Sequence, residues 1–328
     1  MFPYQKLEKE FSNFIGVNDC VTTNTGTAAL HLAIAGKDYP KGSEVIVPEF
    51  SMIATALAPH YTGCIPIYVD CKEDMNINPM LIESKITHRT RALIITHVYG
   101  RVCDMDPILD ICERHNLDLF EDCCEVHGST YHDGPRKGKK VGSLGIGCFS
   151  FYRNKIIHAE EGGAICVADD KLFADHLRDL KNMSFGDSHN YIHKNIGFNY
   201  RMSDSQADKV LDSLLDVNIN LEKRKKVEGF YNLHLDNKFL RSNRDCVWVY
   251  DFNYPKPESL VNYLNSKNIE ARRTFAPMSI QPCFKIQKGY EDLVSYRLYN
   301  STCYLPVAPD MPESRVIEIC KEVNSTWI

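Results

Sequence analysis

The chain has 328 residues, of which 44% are hydrophobic and 25% are charged, and its formal net charge is −5. This length predicts two domains, and the acidic balance argues against a general nucleic-acid-binding protein. No apolar run is long enough to span a bilayer, so we expect no membrane association. The 13 cysteines, scattered without CxxC pairs and without a secretory signal, predict reduced thiols in a cytoplasmic protein.

The first part of the chain alternates short apolar runs with helical patterns. Strands are predicted at 19–23, 44–47, 65–69, 92–96 and 117–121, and helices at 27–35, 52–60, 79–86 and 106–115. Such units are typical of a mostly parallel sheet that is covered on both faces. The sequence therefore predicts an α/β fold whose ligands bind beyond the carboxyl ends of the strands.

The pattern changes after about residue 200. Residues 204–228 are predicted to form one long helix or two abutting helices, followed by a strand at 247–252 and a helix at 258–267. We therefore expect a large α/β domain over residues 1–203 and a smaller C-terminal α+β domain over residues 204–328.

Two side chains at strand ends, Asp122 and Lys155, carry the main functional argument. Asp122 ends the apolar run at 117–121, and Lys155 follows the strand-like run at 148–152. Pyridoxal phosphate chemistry needs such a pair, because the lysine amine holds the cofactor covalently and the carboxylate pairs with its ring nitrogen. A solvated surface lysine is the ordinary alternative for any single lysine.

The turn from Thr25 to Ala28 lies between a predicted strand and a predicted helix. A helix amino terminus offers free N–H groups and a positive dipole end, which suit a phosphate group. Gly26 allows close approach of a ligand, and the hydroxyl of Thr27 adds a donor. A plain capped helix start is the alternative.

Two other kinds of site are considered. Acidic and histidine side chains cluster at Glu121, Asp122, Glu125 and His127. Elsewhere, His189 and His193 form a histidine pair with i,i+4 spacing. We expect no metal, because no second ligand cluster of similar quality accompanies them. The glycine-rich segment 142–147 is not predicted to bind a dinucleotide, because a strand rather than a helix follows it.

Three further segments have an ordinary structural interpretation. Residues 195–202 alternate polar and large apolar side chains and read as a helix-entry turn. The basic clusters at 223–226 and 272–273 are most often solvated faces, and either is also suited to holding a substrate phosphate.

Together, these motifs resemble those of the DegT/DnrJ/EryC1/StrS family of pyridoxal-phosphate-dependent nucleotide-sugar aminotransferases. Within that family, the sequence is most similar to perosamine-synthase-type 4-aminotransferases. The resemblance is dense from residue 7 to residue 215 and is carried, in order, by segments 26–33, 44–48, 52–55, 97–100, 103–108, 121–122, 141–145, 149–151, 154–155, 161–163 and 197–202. The last third of the chain matches only loosely.

The resemblance implies a pyridoxal-phosphate-dependent transferase fold of the aspartate aminotransferase type, fold type I. It makes Lys155 the catalytic lysine that holds pyridoxal 5'-phosphate and moves protons. It also implies that cofactor contacts come from Gly26, Thr27, Met52, Asp122, Glu125, Ser150 and Asn199. Among these, Gly26, Thr27 and Ser150 would bind the phosphate, and Met52 would cover the ring.

The implied reaction moves an amino group from glutamate to a nucleotide-linked 4-keto-6-deoxy sugar, with GDP as the expected nucleotide. Asn199 would reach the phosphate of the partner subunit, so the resemblance implies a homodimer with shared active sites. A sugar dehydrase of the same fold is an alternative, but such relatives carry histidine in place of Lys155. A catalytically weakened homologue that acts as a structural or dimer partner is another.

Three departures from the family pattern bear on activity. The chain begins near the Glu-x-x-Phe segment at 8–11, so we expect it to lack an N-terminal helix and loop that border the active site in relatives. Glu160 stands where a glycine is usual, and Asp208 stands where alanine is usual.

Overall fold

A computed structural model describes residues 1–132, 136–186, 191–241, 244–284 and 288–326. Two sheets lie within these residues, one of seven strands and one of three. None of the helices in the described ranges combines the length and the apolar character that a membrane span requires.

The large sheet contains the strands on which the sequence argument depends. Its strands are β1 (Asp19–Thr23), β2 (Glu44–Pro48), β3 (Ile65–Val69), β4 (Thr90–Thr96), β5 (Asp118–Asp122), β6 (Ile146–Ser150) and β7 (Gly163–Val167). They lie in the order β1-β7-β6-β5-β4-β2-β3. The pairs from β3 to β6 are parallel, and β7 is antiparallel to both of its neighbours. The prediction of a mostly parallel sheet is therefore confirmed.

Helices cover both faces of this sheet. They are α1 (Pro3–Ile15), α2 (Gly26–Ala35), α3 (Ala54–Tyr61), α4 (Pro79–Ile82), α5 (Met105–His115) and α6 (Lys171–Lys181). Successive strand residues point to opposite faces, so Leu93 and Ile95 enter one apolar core while Ile94 enters the other. This pattern explains why the inner strands read as continuous apolar runs.

The helix α1 was not among the predicted elements. It buries Leu7, Phe11 and Ile15, which are spaced four residues apart and therefore lie on one face. Gly16 ends the helix in the left-handed conformation, with a φ of 82°. The Glu-x-x-Phe segment lies inside this helix.

The C-terminal part contributes the small sheet. Its helices are α7 (Asp204–Leu215), α8 (Val217–His234), α9 (Pro257–Ser266), α10 (Val294–Tyr299) and α11 (Glu313–Ser325), and its strands are β8 (Tyr250–Asn253), β9 (Arg272–Arg273) and β10 (Thr302–Leu305). The sheet is antiparallel, in the order β8-β10-β9. Of the two predicted forms for residues 204–228, the structure has the abutting pair, which meets at Asp216.

The two helices of this pair serve different cores. Ala207 and Val210 of α7 pack in the same core as α1, whereas Val227 and Tyr231 of α8 pack with the small sheet. The boundary between residues 203 and 204 stays a prediction.

Candidate active site

The sequence-predicted residues meet at one edge of the large sheet. Asp122 is the last residue of β5, and Ser150 is the last residue of the adjacent strand β6. Lys155 lies in the turn that follows β6, and Gly26 is the first residue of α2. Because β5 and β6 run parallel, their carboxyl ends place these side chains together.

The amino terminus of α2 and the end of β6 are in close contact. A β-carbon on Gly26 would lie 2.6 Å from Cβ of Ser150, so only glycine fits there. Thr25 caps the helix, since its side chain accepts a 3.0 Å hydrogen bond from the N–H of Ala28. Thr27 is exposed in the first turn. Free N–H groups and hydroxyls thus line a cradle suited to a phosphate.

The carboxylate of Asp122 ends a chain of buried hydroxyl groups. Its Oδ2 accepts a 2.9 Å hydrogen bond from Thr55, whose oxygen lies 2.8 Å from Ser51 Oγ. Ser51 Oγ lies 2.9 Å from the hydroxyl of Thr96. Each hydroxyl has one hydrogen, so Thr96 donates to Ser51, Ser51 donates to Thr55, and Thr55 donates to Asp122. This chain of hydrogen bonds fixes the orientation of the Asp122 carboxylate.

Glu125 is buried below the same edge of the sheet. Its Oε2 accepts a 2.6 Å hydrogen bond from the backbone N–H of Tyr99. Burial raises the pKa of Glu125 to about 7, although the nearby Lys155 ammonium and the Tyr99 N–H both lower it. Glu125 therefore changes its protonation state near neutral pH.

The turn that carries Lys155 is held from two directions. The Lys155 N–H donates a 2.8 Å hydrogen bond to the carbonyl of Tyr152. Two residues later, the N–H of Ile157 donates a 3.0 Å bond to Nδ1 of buried His127. Only 8% of Lys155 is exposed, and its Nζ lies 3.5 Å from the ring centroid of Trp248. No local sequence pattern points to Trp248, which comes from the segment before β8.

Met52 and Asn199 lie at the periphery of this arrangement. Met52 is 49% exposed in the loop that leads into α3. Asn199 is exposed and pairs with Asn182 in an isolated β-bridge. Its neighbour Tyr200 accepts a 2.9 Å bond from the N–H of Asn24, beside the cradle. The chain thus places Asn199 near α2 while its side chain faces outward.

The acidic cluster has a structural explanation. Glu121 accepts hydrogen bonds from Tyr131 (2.6 Å) and from the N–H of Gly145 (2.8 Å), and its carboxylate lies 3.2 Å from His97 Nε2. His97 Nδ1 accepts from the N–H of Cys103, so Nε2 carries the proton that is donated to Glu121. One potential ligand atom from each of His97, Glu121 and Cys123 lies within 4.8 Å of the other two. These atoms already form hydrogen bonds within the protein.

The glycine-rich segment at 142–147 leads into a strand and not a helix, as predicted, although β6 spans Ile146–Ser150 rather than residues 148–152. A β-carbon on Gly145 would lie 2.6 Å from the carbonyl oxygen of Leu119, and one on Gly147 would lie 2.3 Å from that of Gly142. These glycines therefore allow tight backbone packing. His189 lies outside the described residues, and His193 donates a 2.7 Å hydrogen bond to the carbonyl of Met183.

The basic clusters are tied to neighbouring groups. Arg224 is buried, contrary to the solvated face predicted for its cluster, and donates to the carbonyls of Trp248 (3.1 Å) and Val307 (2.9 Å). Arg272 is exposed and pairs with Glu270 at 2.9 Å. Arg224 thus has a structural role that the sequence does not show.

Two departures from the family pattern lie on the surface. Glu160 is exposed and forms a 2.6 Å ion pair with Lys209 of α7. Asp208 is also exposed, next to buried Ala207. Neither residue disturbs the packing around Lys155.

The residues fit pyridoxal phosphate. The cradle beside Gly26 has room only without a β-carbon, the carboxylate of Asp122 accepts a hydrogen bond from Thr55, and the Lys155 amine lies at the same edge of the sheet. A phosphate site, an acidic partner for a ring nitrogen and a lysine amine are the features that this cofactor needs.

The fold and the site define a pyridoxal-phosphate-dependent aminotransferase. More narrowly, the chain belongs to the DegT/DnrJ/EryC1/StrS aminotransferase family, whose family model matches residues 3–324.

Relatives of known name support this assignment. The chain is 37% identical to a GDP-perosamine synthase of Caulobacter vibrioides over 292 residues, which cover 84% of this chain and 77% of the relative. It is 35% identical to a GDP-perosamine synthase of Escherichia coli O157:H7, over 98% of this chain and 90% of the relative. Among solved structures, Streptomyces venezuelae DesV in complex with a ketimine intermediate matches with a TM-score of 0.89 and 27% identity, over 99% of this chain and 89% of that chain.

Proposed function

We propose that this protein transfers an amino group from glutamate to the 4-keto carbon of a nucleotide-linked 4-keto-6-deoxy sugar, of the perosamine type and carried on GDP. The observation that carries the proposal is the buried Lys155 amine at the strand edge that also holds Asp122 and the cradle at Gly26. The similarity to GDP-perosamine synthases supports the choice of sugar nucleotide.

Each residue has a distinct task in this proposal. Bound pyridoxal phosphate supplies a ring that delocalises the electrons released when a carbon–hydrogen bond breaks. Lys155 would hold the cofactor and, once its amine is free, would take the proton from the amine-bearing carbon of the donor. Asp122 would keep the ring nitrogen protonated, Glu125 would lie near the ring hydroxyl, and Met52 would contribute an apolar contact to the ring. The cradle of Gly26, Thr27 and Ser150 binds the phosphate.

A homodimer with shared active sites is part of the proposal. Large apolar side chains are exposed in α3 and in the segment that leads to Asn199, namely Tyr61, Tyr191, Ile192 and Ile196. The ring of His31 in α2 lies 5.6 Å from that of Tyr61 and 4.8 Å from that of Phe198, which joins these segments into one face. An exposed apolar face of this kind suits a second copy of the chain.

Subunit complementation tests the sharing. Lys155→Ala and Asn199→Ala are each expected to be inactive alone. Mixing them after partial unfolding and refolding creates heterodimers in which one of the two sites is intact, so activity recovers to roughly a quarter of the wild-type value. If the mixture stays inactive although heterodimers form, Asn199 does not complete the partner's site.

The location of the protein is proposed from its thiols. All 13 cysteines are free, and most are buried. Reduced thiols of this kind suit the cytoplasm.

The activity is tested with purified protein and pyridoxal phosphate. The loaded protein should be yellow, and its visible absorbance should fall when glutamate is added. Borohydride reduction before glutamate should attach the cofactor to Lys155. A panel of 4-keto sugars on GDP, dTDP and UDP then identifies the acceptor, with GDP expected to give the highest kcat/KM. A protein that stays colourless with added cofactor would support the weakened-homologue alternative instead.

A further inference from the structure

We infer that Trp248 is a positioning residue that holds the Lys155 amine beside the cofactor site whenever that amine is not bound to the cofactor. This inference rests on the proposed function. Lys155 Nζ lies 3.5 Å from the centroid of the Trp248 ring, and both side chains are only 8% exposed. A tryptophan face attracts an ammonium group more strongly than any other aromatic side chain does.

The ring is fixed relative to the lysine turn. The Nε1–H of Trp248 donates a 3.1 Å hydrogen bond to the carbonyl of Asn154, the residue before Lys155. The carbonyl of Trp248 accepts a 3.1 Å bond from buried Arg224 of α8. The Trp248 ring also lies 6.0 Å from the ring of buried Tyr99. The hydrogen bonds to Asn154 and from Arg224 therefore fix the Trp248 ring relative to the turn that carries Lys155.

The neighbouring carboxylates have other partners. Glu125 accepts from the N–H of Tyr99 at 2.6 Å, and Asp122 accepts from Thr55 at 2.9 Å. Within the described ranges, Lys155 forms no ion pair at contact distance, although its charge lowers the pKa of Glu125, and its ammonium faces the Trp248 ring. The ring is thus the group that places the free amine.

An aromatic face suits this task better than a carboxylate does. The ring attracts the ammonium through its quadrupole, but it does not take the proton, and the attraction is weak enough for the amine to leave. A buried carboxylate would pair with the ammonium strongly and hold it in the charged form. Trp248 therefore keeps the amine of Lys155 close to the cofactor site through an attraction weak enough for the amine to leave.

Fluorinated tryptophan tests the inference with little change in shape. The chain has 2 tryptophans, so a Trp327→Phe background leaves Trp248 as the single site for incorporation. Proteins that carry tryptophan, 5-fluorotryptophan, 5,7-difluorotryptophan or tetrafluorotryptophan are prepared without cofactor. Each is treated briefly with acetic anhydride near pH 8, and acetylation of Lys155 is measured by peptide mass spectrometry. The exposed Lys209 serves as an internal control.

Fluorine withdraws electron density from the ring and weakens its hold on the ammonium. We expect acetylation of Lys155 to rise stepwise along the series, by about two- to fivefold in total, while that of Lys209 stays constant. Equal acetylation of Lys155 in all four proteins would overturn the inference, because a packing role depends on ring shape, which the series preserves.

The loaded enzyme gives a second readout. The same series should lower kcat for amino transfer more than it changes KM for glutamate, because the ring contacts the Lys155 amine. Cofactor binding is measured separately by visible absorbance. The two hypotheses can therefore fail separately. If acetylation rises along the series but the protein never binds pyridoxal phosphate, the proposed function is refuted, whereas the contact between the Lys155 amine and the Trp248 ring is supported.

Discussion

The hydroxyl of Thr55 donates a 2.9 Å hydrogen bond to Oδ2 of Asp122, and it does so as the last member of a buried hydroxyl chain. Thr55 belongs to α3, whereas Asp122 ends β5. Helix α3 thus sets the orientation of the Asp122 carboxylate, which is the proposed partner of the cofactor nitrogen.

Thr55→Val is expected to lower kcat by roughly ten- to a hundredfold, because a hydrogen bond to a charged group contributes about 1.5–3 kcal/mol. It also leaves the hydroxyl of Ser51 without its acceptor. Steady-state kinetics measure the effect, and Thr55→Ser, which keeps the hydroxyl, serves as the matched control with near-normal kcat. Equal rates in Thr55→Val and the wild type would show that the hydrogen bond does not assist Asp122.

Gly26→Ala is expected to weaken pyridoxal phosphate binding at least tenfold. Its β-carbon would lie 2.6 Å from Cβ of Ser150, so the cradle must open. Absorbance titration of the cofactor-free protein measures the affinity. The control is Gly229→Ala in α8, where no atom lies within 4 Å of the new β-carbon and stability should rise by about 1 kcal/mol. Unchanged affinity in Gly26→Ala would place the phosphate elsewhere.

The free energy of unfolding is expected to fall as pH rises, and Glu125→Gln is expected to make this fall smaller. Burial raises the pKa of Glu125 to about 7 from an ordinary value of 4.5. Between these values the folded protein keeps a proton that the unfolded chain releases, so rising pH lowers the free energy of unfolding, by about 3 kcal/mol across the window. Urea unfolding of the cofactor-free protein at about pH 5 and pH 8 measures the difference. An equal loss in variant and wild type would contradict the assignment.

Asp251→Ala is expected to destabilise the protein by about 3–5 kcal/mol, because it removes the buried carboxylate that Arg101, Arg241 and Arg244 share. Asp251 of β8 lies 3.0 Å from Arg101 and accepts a 2.8 Å bond from Arg244 Nε. Burial alone would raise the pKa of Asp251, but Arg244, Arg101 and Arg241 hold it well below its ordinary value.

Chemical unfolding measures this change. Glu318→Ala removes the exposed 3.0 Å pair with Arg315 in α11 and serves as the control, with little expected change in stability. A small effect at both positions would mean that the buried ions contribute no more than surface ions do.

The sequence was sufficient for the strand ends. Asp122 could be placed because a parallel strand ends where its apolar run ends, and Gly26 because a capped helix start follows β1. Ser150 was named only through the family resemblance, since its predicted strand ran on to residue 152 whereas β6 ends at Ser150. These inferences depend on neighbours in sequence, where periodicity and capping chemistry operate.

Contacts between distant segments could not be predicted in this way. Trp248 bonds to Asn154 across 94 residues of chain, and Thr55 bonds to Asp122 across 67. Such pairs depend on how the elements pack, which local patterns do not encode. The strand predicted at 247–252 begins only at Tyr250, since the polar groups of Trp248 bond to Asn154 and Arg224 instead of to a neighbouring strand.

The pairing of β1 with β7 has a consequence for synthesis of the chain. The side chain of Asn18 donates to Asp169 across 151 residues, and Cys20 pairs with Cys166 in the sheet. On the ribosome, β1 and the start of α2 emerge long before their partners exist. The phosphate cradle at Gly26 therefore closes only after Ser150 has been made, and the nascent chain has to keep β1 from other contacts until then.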